Sequence, residues 1–375
     1  MKITLIGPAH PYRGSFATLT KRLAEEFKKE DNIVKIYTFT LQYPNFLFPG
    51  ETQYTSNKAP ENVNITRIIN SINPFNWIKV GLRIKKEKPD MVILRYWLPF
   101  FSPCLSTISR IARLNKHTKV IAIVDNIIPH EKRFLDDTFT RYFVSGVDGF
   151  LAMSNNVIND ISKFNTTKPR ILTPHPLFDD FGEPLSKEEA QKKLGLNADD
   201  INILTFGLIR KYKGVDLLID ALADERLAKY PIKLTIAGEF YDSSAPYYDK
   251  VKQLGLSPKV NFIPKFIPDE DVKYYFCSTD LVAQTYRSAT QSGVTQIGYH
   301  FEKPMLVTKV GGLAEIIPEG KVGYVVEPNV KDISDAILNF CELRPDFTEG
   351  IKEEKKKYSW NKKIEAIKKL YKDTL

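Results

Sequence analysis

The sequence of 375 residues has little of what secreted and membrane-spanning proteins need. Its three cysteines, Cys104, Cys277 and Cys341, are scattered and lack the spacing of a metal site. Cysteines of this kind are typical of reduced core residues in a cytoplasmic protein. No stretch approaches the ~20 apolar residues of a membrane span. The first apolar run is short and ends at Gly7 and Pro8, so we expect no signal peptide and a cytoplasmic protein.

The sequence also lacks the common pyrophosphate loops and the modules that read nucleic acid. The loop after the first predicted strand, GPAHPYRGS (7–15), is neither G-x-G-x-x-G nor a Walker loop. No aromatic or zinc reader module accompanies the basic residues, which argues against a nucleic-acid partner. The sequence has no internal repeats and no low-complexity tracts. Its composition is that of an ordinary globular protein.

The net charge of +9 comes entirely from the first half of the sequence. Residues 1–180 hold 25 Lys and Arg against 16 Asp and Glu, whereas residues 181–375 hold 29 of each. Much of the excess lies in 77–90 and 109–119, which have helical patterns with basic faces. These faces are either solvated or in contact with an anionic membrane surface or acidic acceptor, where each Lys or Arg near the lipid contributes about 1 kcal/mol.

Short apolar runs alternate with helical patterns along the whole chain, which indicates parallel sheets covered on both faces. The chain is too long for one core, so we expect two domains. The predicted strands are 2–6, 32–39, 64–69, 91–96, 119–124, 149–153 and 170–173, then 202–207, 233–239, 259–266, 280–284, 304–308 and 323–328. The sequence predicts two doubly wound, Rossmann-like α/β domains, 1–178 and 186–357, with a linker at 174–185. Ligands bind outside the carboxyl ends of such strands, so two facing domains would form a cleft there.

Residues 285–317 have the features of a phosphate-binding edge. A Gly-containing loop leads into a predicted short helix, and the turn VGGLAE (310–315) is predicted to feed a second one. Helix N-termini carry unpaired N–H groups and a partial positive charge. Gly293, Gly311 and Gly312 allow the backbone to approach a ligand closely. The stretch therefore predicts a nucleotide-linked or phosphorylated ligand.

The turn FGLIRKYKG (206–214) supplies positive charge in the same domain. Arg210 and Lys213 lie between Gly207 and Gly214, just after a predicted strand. Arginine can donate two parallel hydrogen bonds to phosphate oxygens, and lysine acts as a point charge. A solvated turn is the alternative, but the position at the carboxyl end of a strand favours a phosphate site.

Several segments resemble the group 1 glycosyltransferases, also called family 4, of the GT-B fold. They are FGLIRKYKGVDLLIDAL, LTIAGE, KVNFIPKFIPDEDVKYYFCSTDLVA and PMLVTKVGGLAEIIPEGKVGYVVEP, with GPAHPYRG and DNIIPHE in the first half. The resemblance covers nearly the whole chain and is more specific in the C-terminal half. It implies a retaining, metal-independent transferase that uses a nucleotide sugar as substrate and needs no cofactor. It also implies a donor-binding C-terminal domain, an acceptor-binding N-terminal domain, and a last helix (358–375) that packs back on the N-terminal domain.

The resemblance also assigns roles to particular residues. Arg210 and Lys213 would neutralise the donor diphosphate and the charge that grows on the leaving nucleoside diphosphate. Asp269 and Asp271 form a D-x-D, but they begin an amphipathic helix, which favours helix-dipole partners over metal ligands. The donor-binding candidates are Gly14, Gly207, Gly238, Glu239, Phe266, Ser288, Gln291, Ser292, Gly293, Val294 and Gln296.

The sequence departs from the family at two positions separated by seven residues, where glutamates usually hold the donor sugar and the ribose. No acid lies between Asp280 and Glu302. Alignment places Ser288 and Gln296 at the two positions, or Gln291 at the first if the register slips. An amide such as Gln296 can still hydrogen-bond a diol. The departure bears on donor identity and, to a lesser degree, on activity.

The candidates on the acceptor side follow strands of the first domain. His130, in DNIIPHE, and Asp125, directly after a strand, are alternative positioning groups for the sugar. Arg95 and Ser154 also lie at the carboxyl ends of predicted strands. Each of these residues has a structural role as its alternative.

The sequence thus predicts a retaining glycosyltransferase of the hexosyltransferase type, acting on a saccharide or lipid-linked acceptor in surface polysaccharide or glycoconjugate synthesis. We expect it in the cytoplasm, and the basic first domain could hold it peripherally on the inner face of the membrane. A nucleotide-sugar 2-epimerase on the same fold is one alternative, but it needs paired acids and histidines in the cleft, and the absence of acids from 285–300 argues against it. A non-catalytic nucleotide- or sugar-binding protein is the other.

Overall fold

The computed structural model describes residues 1–44, 52–55, 58–129, 133–164, 167–289 and 292–375. Its internal contacts divide the chain into two units. The first unit comprises Met1–Pro174 together with Trp360–Leu375, and the second comprises His175–Ser359. Each unit is built around a parallel sheet, one of seven strands and one of six, which confirms the predicted fold class.

The sheet of the first unit has the strand order β3-β2-β1-β4-β5-β6-β7. Its strands are β1 (Lys2–Ile6), β2 (Ile33–Leu41), β3 (Asn64–Asn70), β4 (Met91–Tyr96), β5 (Lys119–Val124), β6 (Gly149–Ala152) and β7 (Arg170–Leu172). All six residues of β4 are buried, as expected of a central strand with helices on both faces. The order reverses between β1 and β4, and such a switch point is where ligands bind in doubly wound sheets.

Within the described ranges of this unit, five α-helices connect the strands. They are α1 (Ser15–Lys29), α2 (Pro74–Glu87), α3 (Ser102–Arg113), α4 (Asp136–Gly146) and α5 (Asn155–Ser162). The start of α2 has the residues that favour a helix N-terminus. Asn73 caps the helix by accepting the Asn76 N–H at 3.2 Å, and Pro74 occupies the first turn. The basic pattern predicted at 109–119 is helical only to Arg113, and Lys116 has a positive φ of 57°.

The sheet of the second unit has the order β10-β9-β8-β11-β12-β13, with its own reversal between β8 and β11. The strands are β8 (Ile201–Phe206), β9 (Ile232–Ala237), β10 (Val260–Ile263), β11 (Leu281–Gln284), β12 (Met305–Thr308) and β13 (Gly323–Val326). The helices are α6 (Lys187–Leu194), α7 (Val215–Leu222), α8 (Ala245–Gln253), α9 (Asp269–Cys277), α10 (Gly293–His300), α11 (Val330–Leu343) and α12 (Thr348–Lys355).

The last helix, α13 (Trp360–Asp373), belongs to the first unit. It contacts α1 and the strands β5, β6 and β7. Ile364, Ile367 and Leu370 are buried at helical spacing, and the guanidinium carbon of Arg22 lies 5.3 Å from the Trp360 ring centroid. The end of the chain is therefore part of the core of the unit that contains its beginning.

One predicted helix is wrong. The turn VGGLAE leads only into a single 3₁₀ turn, Ala314–Ile316, and not into an α-helix. Pro318 explains the difference, because proline disfavours the helical conformation of the residue before it. Ile317 accordingly has the extended angles φ −120° and ψ 91°.

No helix among the described residues is long and apolar enough to span a bilayer. The three cysteines are buried and unpaired, as the sequence predicted for reduced core residues.

Candidate functional site

The basic loop, residues 207–214, leaves the carboxyl end of β8 and has glycines at both ends. Gly207 and Gly214 have φ angles of 91° and 58°, in the left-handed region that favours glycine. The Gly207 N–H donates to the Ala237 carbonyl at 2.9 Å, and the Thr285 hydroxyl donates to the Gly214 carbonyl at 2.9 Å. A Cβ on Gly214 would lie 2.0 Å from the Thr285 carbonyl oxygen. The loop is therefore held against the ends of β9 and β11.

Arg287 adds a clamp that the sequence did not reveal. Its guanidinium donates to both carboxylate oxygens of Asp216, at 2.7 and 2.6 Å, and to the Lys211 carbonyl at 3.1 Å. Its backbone N–H donates to the Tyr212 carbonyl at 2.6 Å. Burial raises the pKa of the Asp216 carboxyl, but the pairing with Arg287 outweighs it, so this pKa lies below its ordinary value. The clamp fixes the middle of the basic loop through contacts of the protein itself.

Lys213 is a buried cation without a carboxylate partner among the residues that the structure describes. Its side chain is only 7% exposed, and the Nζ atom lies 3.5 Å from the Phe206 carbonyl oxygen, which is long for a hydrogen bond. The Tyr286 ring centroid lies 5.4 Å from the same atom. Burial lowers the pKa of the Lys213 ammonium, and the neighbouring Arg210 acts in the same direction. A buried charge of this kind gains from an anionic ligand.

Arg210 brings a second cation to the basic loop. Its guanidinium carbon lies 4.2 Å from the Tyr241 ring centroid, in cation–π geometry. The side chain is half-buried, and the residue caps the short 3₁₀ turn Lys211–Lys213. The structure therefore brings together the two cations that the sequence assigned to a diphosphate.

The start of α10 meets the basic loop at Gly207. A Cβ built on Gly207 would lie 3.2 Å from Lys213 Nζ and 3.8 Å from Val294 Cγ2. Ser292 caps α10 by accepting the Val294 N–H at 3.2 Å, and its hydroxyl lies 3.3 Å from the Tyr286 hydroxyl. A Cβ on Gly293 would lie 2.6 Å from the Phe178 ring, so this position has no room for a side chain. The N-terminus of α10 thus lies next to the buried Lys213 ammonium, an arrangement that suits a phosphate.

Two buried amides lie in the same unit. Gln296, in α10, is fully buried, and neither its side-chain nitrogen nor its oxygen has a hydrogen-bond partner in the described part of the chain. The same is true of Gln284 at the end of β11, which the sequence interpretation missed. Ser288 is exposed, and Gln291 lies outside the described residues. Buried polar atoms without partners are uncommon in folded proteins.

The other donor-side candidates lie at the ends of β9 and β10. A Cβ on Gly238 would lie 2.0 Å from the Gly207 carbonyl oxygen, and the Glu239 carbonyl accepts the Ile209 N–H at 2.7 Å. These residues therefore adjoin the basic loop. Phe266, between β10 and α9, is 39% exposed. Asp269 and Asp271 lie in the first turn of α9, as predicted.

In the first unit, the structure joins two of the predicted acceptor-side residues. The Arg95 guanidinium donates to both oxygens of Asp125, at 2.9 and 2.7 Å, and both side chains are buried. The guanidinium carbon lies 4.5 Å from the Phe16 ring centroid. Arg95 comes from the end of β4 and Asp125 directly follows β5, so the pair lies at the carboxyl edge of the sheet.

Lys363 of α13 is the third member of this cluster, and the sequence interpretation missed it. Its side chain is 3% exposed, and no described residue accepts a hydrogen bond from its Nζ atom. Burial lowers the pKa of Lys363 to about 7, with Arg95 acting in the same direction and Asp125 opposing it. Burial also raises the pKa of Asp125, against the effects of Arg95 and Lys363. Only the amphipathic pattern around Lys363 could have indicated that it faces inward.

The remaining first-unit candidates have simpler surroundings. Gly14 is the N-cap of α1 with a φ of 97°, and no described atom lies within 4 Å of a Cβ built there. Ser154 caps α5 by accepting the Val157 N–H at 3.4 Å, and this structural role accounts for its position. His130 lies outside the described residues.

Comparison with known proteins supports the predicted family. Residues 186–359 match the family model described as "Glycosyl transferases group 1". An uncharacterised glycosyltransferase, MJ1178, of Methanocaldococcus jannaschii is 30% identical over 189 residues, which cover 48% of this chain and 51% of that protein. A D-inositol 3-phosphate glycosyltransferase of Corynebacterium urealyticum is 24% identical over 262 residues, which cover 66% and 61%. The chain thus covers about half to three fifths of these relatives.

A solved structure extends the similarity to the whole fold. Anabaena Alr3699/HepE, crystallised in complex with UDP and glucose, superposes with a TM-score of 0.73 over 98% of each chain, at 16% identity. At this identity the likeness establishes the fold alone, and that fold is GT-B. The resemblance to group 1 glycosyltransferases that the sequence indicated is confirmed, with its family match in the unit that contains the basic loop.

The packing of Gly214 yields a stability prediction. We expect Gly214→Ala to lower the free energy of unfolding by at least about 2 kcal/mol, because the new Cβ is strained at positive φ and collides with the end of β11. Gly195→Ala is the matched control, since Gly195 also has a positive φ of 67° but no described atom lies within 4 Å of its Cβ position. We expect it to cost about 1 kcal/mol. Urea unfolding measures both, and equal losses would contradict the described contact.

The buried ammonium of Lys363 yields a pH prediction. The ordinary lysine pKa of 10.5 in the unfolded chain and about 7 in the folded chain mean that the unfolded chain binds more protons between these values. The free energy of unfolding should therefore rise with pH across this window, by up to about 1.4 kcal/mol per pH unit. Lys363→Met should remove this contribution, whereas Lys369→Met, an exposed position on α13, should retain it. Identical pH slopes in the two variants would disprove the assignment.

Proposed function

Because the second unit matches the group 1 glycosyltransferases, we propose that this protein transfers a sugar from a nucleotide-sugar donor to a saccharide or lipid-linked acceptor. The observation that carries the proposal is the basic loop, where buried Lys213 and half-buried Arg210 lie at the carboxyl end of β8. A buried lysine beside a helix N-terminus, with an arginine in the same loop, suits the charge of a diphosphate. The solved relative of the same fold holds UDP and glucose, which supports this donor class.

The basic loop would act on the leaving group. When the bond between the anomeric carbon and the diphosphate breaks, negative charge grows on the diphosphate oxygens. Lys213 and Arg210 would stabilise that charge, and the Arg287–Asp216 clamp would keep the loop in place beforehand. Donors positioned in advance make such electrostatic stabilisation effective.

We propose transfer with retention of the anomeric configuration. The acceptor hydroxyl would attack the anomeric carbon on the face from which the diphosphate leaves, and a diphosphate oxygen would take the hydroxyl proton. One C–O bond forms as another breaks, and Lys213 and Arg210 would supply the positive charge at the leaving diphosphate, so we propose that the step uses no metal ion and no further cofactor. A chelator test follows from this: addition of EDTA should leave the rate unchanged.

The first unit would hold the acceptor near Asp125 and Arg95. The pair is buried and mutually bonded, so we assign it to shaping the carboxyl edge of the sheet rather than to direct proton transfer. One relative is named for D-inositol 3-phosphate, a hydroxylated and phosphorylated molecule, and this name supports an acceptor of that class. Synthesis of a surface polysaccharide or glycoconjugate fits such an acceptor.

The central prediction concerns Lys213. We expect Lys213→Ala and Arg210→Ala each to lower the rate of sugar transfer, or of donor hydrolysis without acceptor, by about 100-fold, because each loses a charge that stabilises the leaving group. Lys211→Ala is the matched control, since Lys211 lies in the same loop but is exposed. The donor is first selected by thermal shift with a panel of nucleoside diphosphates and then supplied as the nucleotide sugar.

The outcomes separate the competing functions. If the wild type binds a nucleoside diphosphate but neither transfers nor hydrolyses any matching nucleotide sugar, the protein is a binding module. If it converts the donor to its 2-epimer, it is an epimerase. An unchanged rate in Lys213→Ala would contradict the role given to the basic loop.

A further inference from the structure

The outward face of α2 carries large apolar side chains that the first unit does not bury. Phe75 is 84% exposed, Ile78 is 45% exposed and Leu82 is 50% exposed. Their spacing of three and four residues places them in one stripe along the helix. Ile72, immediately before the cap of α2, is 51% exposed and extends the stripe. A contiguous apolar stripe of this kind is typical of an interaction surface.

Tight packing on the inner face fixes the orientation of the stripe. Val80 and Ile84 are buried, and a Cβ on Gly81 would lie 2.7 Å from Ile111 Cβ, next to α3. The close approach at Gly81 leaves no room for the helix to roll. The apolar stripe therefore faces away from the sheet as a fixed feature of the fold.

Lysines border the stripe on both sides. Lys79 and Lys86 flank the stripe on one side of the helix, and Lys85 flanks it on the opposite side. Lys79 and Lys86 are exposed, and in the described part of the chain neither forms an ion pair with a carboxylate. Residues 72–90 carry five Lys and Arg against two Asp and Glu.

The two acids of this region are already engaged. Glu87 accepts hydrogen bonds from Arg83 at 3.1 Å and from the Tyr37 hydroxyl at 2.6 Å. Asp90 pairs with His117 at 2.9 Å. Neither acid neutralises the exposed lysines, so the outward face of α2 presents apolar side chains within a positive border.

We propose that the outward face of α2, together with Ile72, docks the first unit onto an anionic lipid bilayer. A helix that places Phe, Ile and Leu between lysines has the composition of an interfacial helix, whose apolar side chains enter the boundary between headgroups and acyl chains. Lysine stems lie along the apolar surface while their ammonium groups reach lipid phosphates. A fluid bilayer needs no complementary groove, and a single convex helix face fits it better than it fits a folded partner.

The position of α2 determines which edge of the first sheet would lie near the bilayer. The helix follows β3, so Ile72 and Phe75 lie toward the carboxyl edge of the sheet, the edge at which Arg95 and Asp125 also lie. A bilayer bound there would present lipid-linked hydroxyl groups to that edge. This consequence rests on the proposed function, whereas the docking itself does not.

The test uses the full chain and vesicles, without donor or acceptor. We expect it to float with vesicles of phosphatidylcholine and phosphatidylglycerol, but not with phosphatidylcholine alone, and to be released by salt. The double variants Phe75→Ser with Leu82→Ser, and Lys79→Glu with Lys86→Glu, should each weaken the binding by at least about tenfold. Leu343→Ser with Lys192→Glu is the matched control, because both positions are exposed in the second unit. It should bind as the wild type does.

Several results would overturn the proposal. Failure of the wild type to bind anionic vesicles would do so, as would α2 variants that bind as well as the control. A dimer of the wild type that Phe75→Ser with Leu82→Ser converts to a monomer would instead assign the face to self-association. Thermal unfolding and donor hydrolysis should be unchanged in the α2 variants, which excludes misfolding. Since vesicle binding needs no donor, its failure would leave the transferase proposal standing.

Discussion

The buried ammonium of Lys213 is the constraint on which the donor-side site depends. A cation that is 7% exposed and lacks a carboxylate partner among the described residues is costly to the folded chain, and the long contact to the Phe206 carbonyl offsets little of that cost. The surrounding structure holds it there nevertheless. Gly207 and Gly214 turn the backbone, Thr285 binds the end of the loop, and Arg287 clamps its middle. Protein contacts that hold a charge in position in advance are what electrostatic catalysis requires.

The first unit contains a second cluster of buried charges, and in this cluster two of the charges pair with each other. Arg95 and Asp125 satisfy each other, and Lys363 reaches them from α13, at the opposite end of the sequence. Because α13 belongs to the same unit as β1, the cluster connects the end of the chain to the carboxyl edge of the first sheet. Its charges shape that edge, and the lowered pKa of Lys363 predicts that the stability of the unit depends on pH.

Much of the fold could be predicted because it depends on local signals. The strands β4 and β5 are near-continuous apolar runs, and their observed bounds are those that the sequence predicts. Arg210 and Lys213 were recognisable because a glycine-bounded basic turn after a strand is a local pattern. The Arg287–Asp216 clamp and the inward position of Lys363 were not, since each depends on which residues distant in sequence become neighbours. The second helix predicted after VGGLAE does not form, because Pro318 disfavours a helical conformation at Ile317.

The exposed stripe on α2 is another feature that the sequence alone could not predict. The sequence indicated a basic helix, but only the structure shows that Phe75, Ile78 and Leu82 share the outward face with the lysines. The structure therefore shows which face of the basic helix is exposed and that this face also carries apolar side chains, neither of which the net charge reveals.

The most direct test of the donor site is a crystal structure of the chain with whichever of uridine, guanosine or adenosine diphosphate most raises its unfolding temperature. We expect diphosphate oxygens within hydrogen-bond distance of Lys213 Nζ and the Arg210 guanidinium, close to the start of α10. A diphosphate bound elsewhere, with Lys213 still directed at the Phe206 carbonyl, would contradict the account.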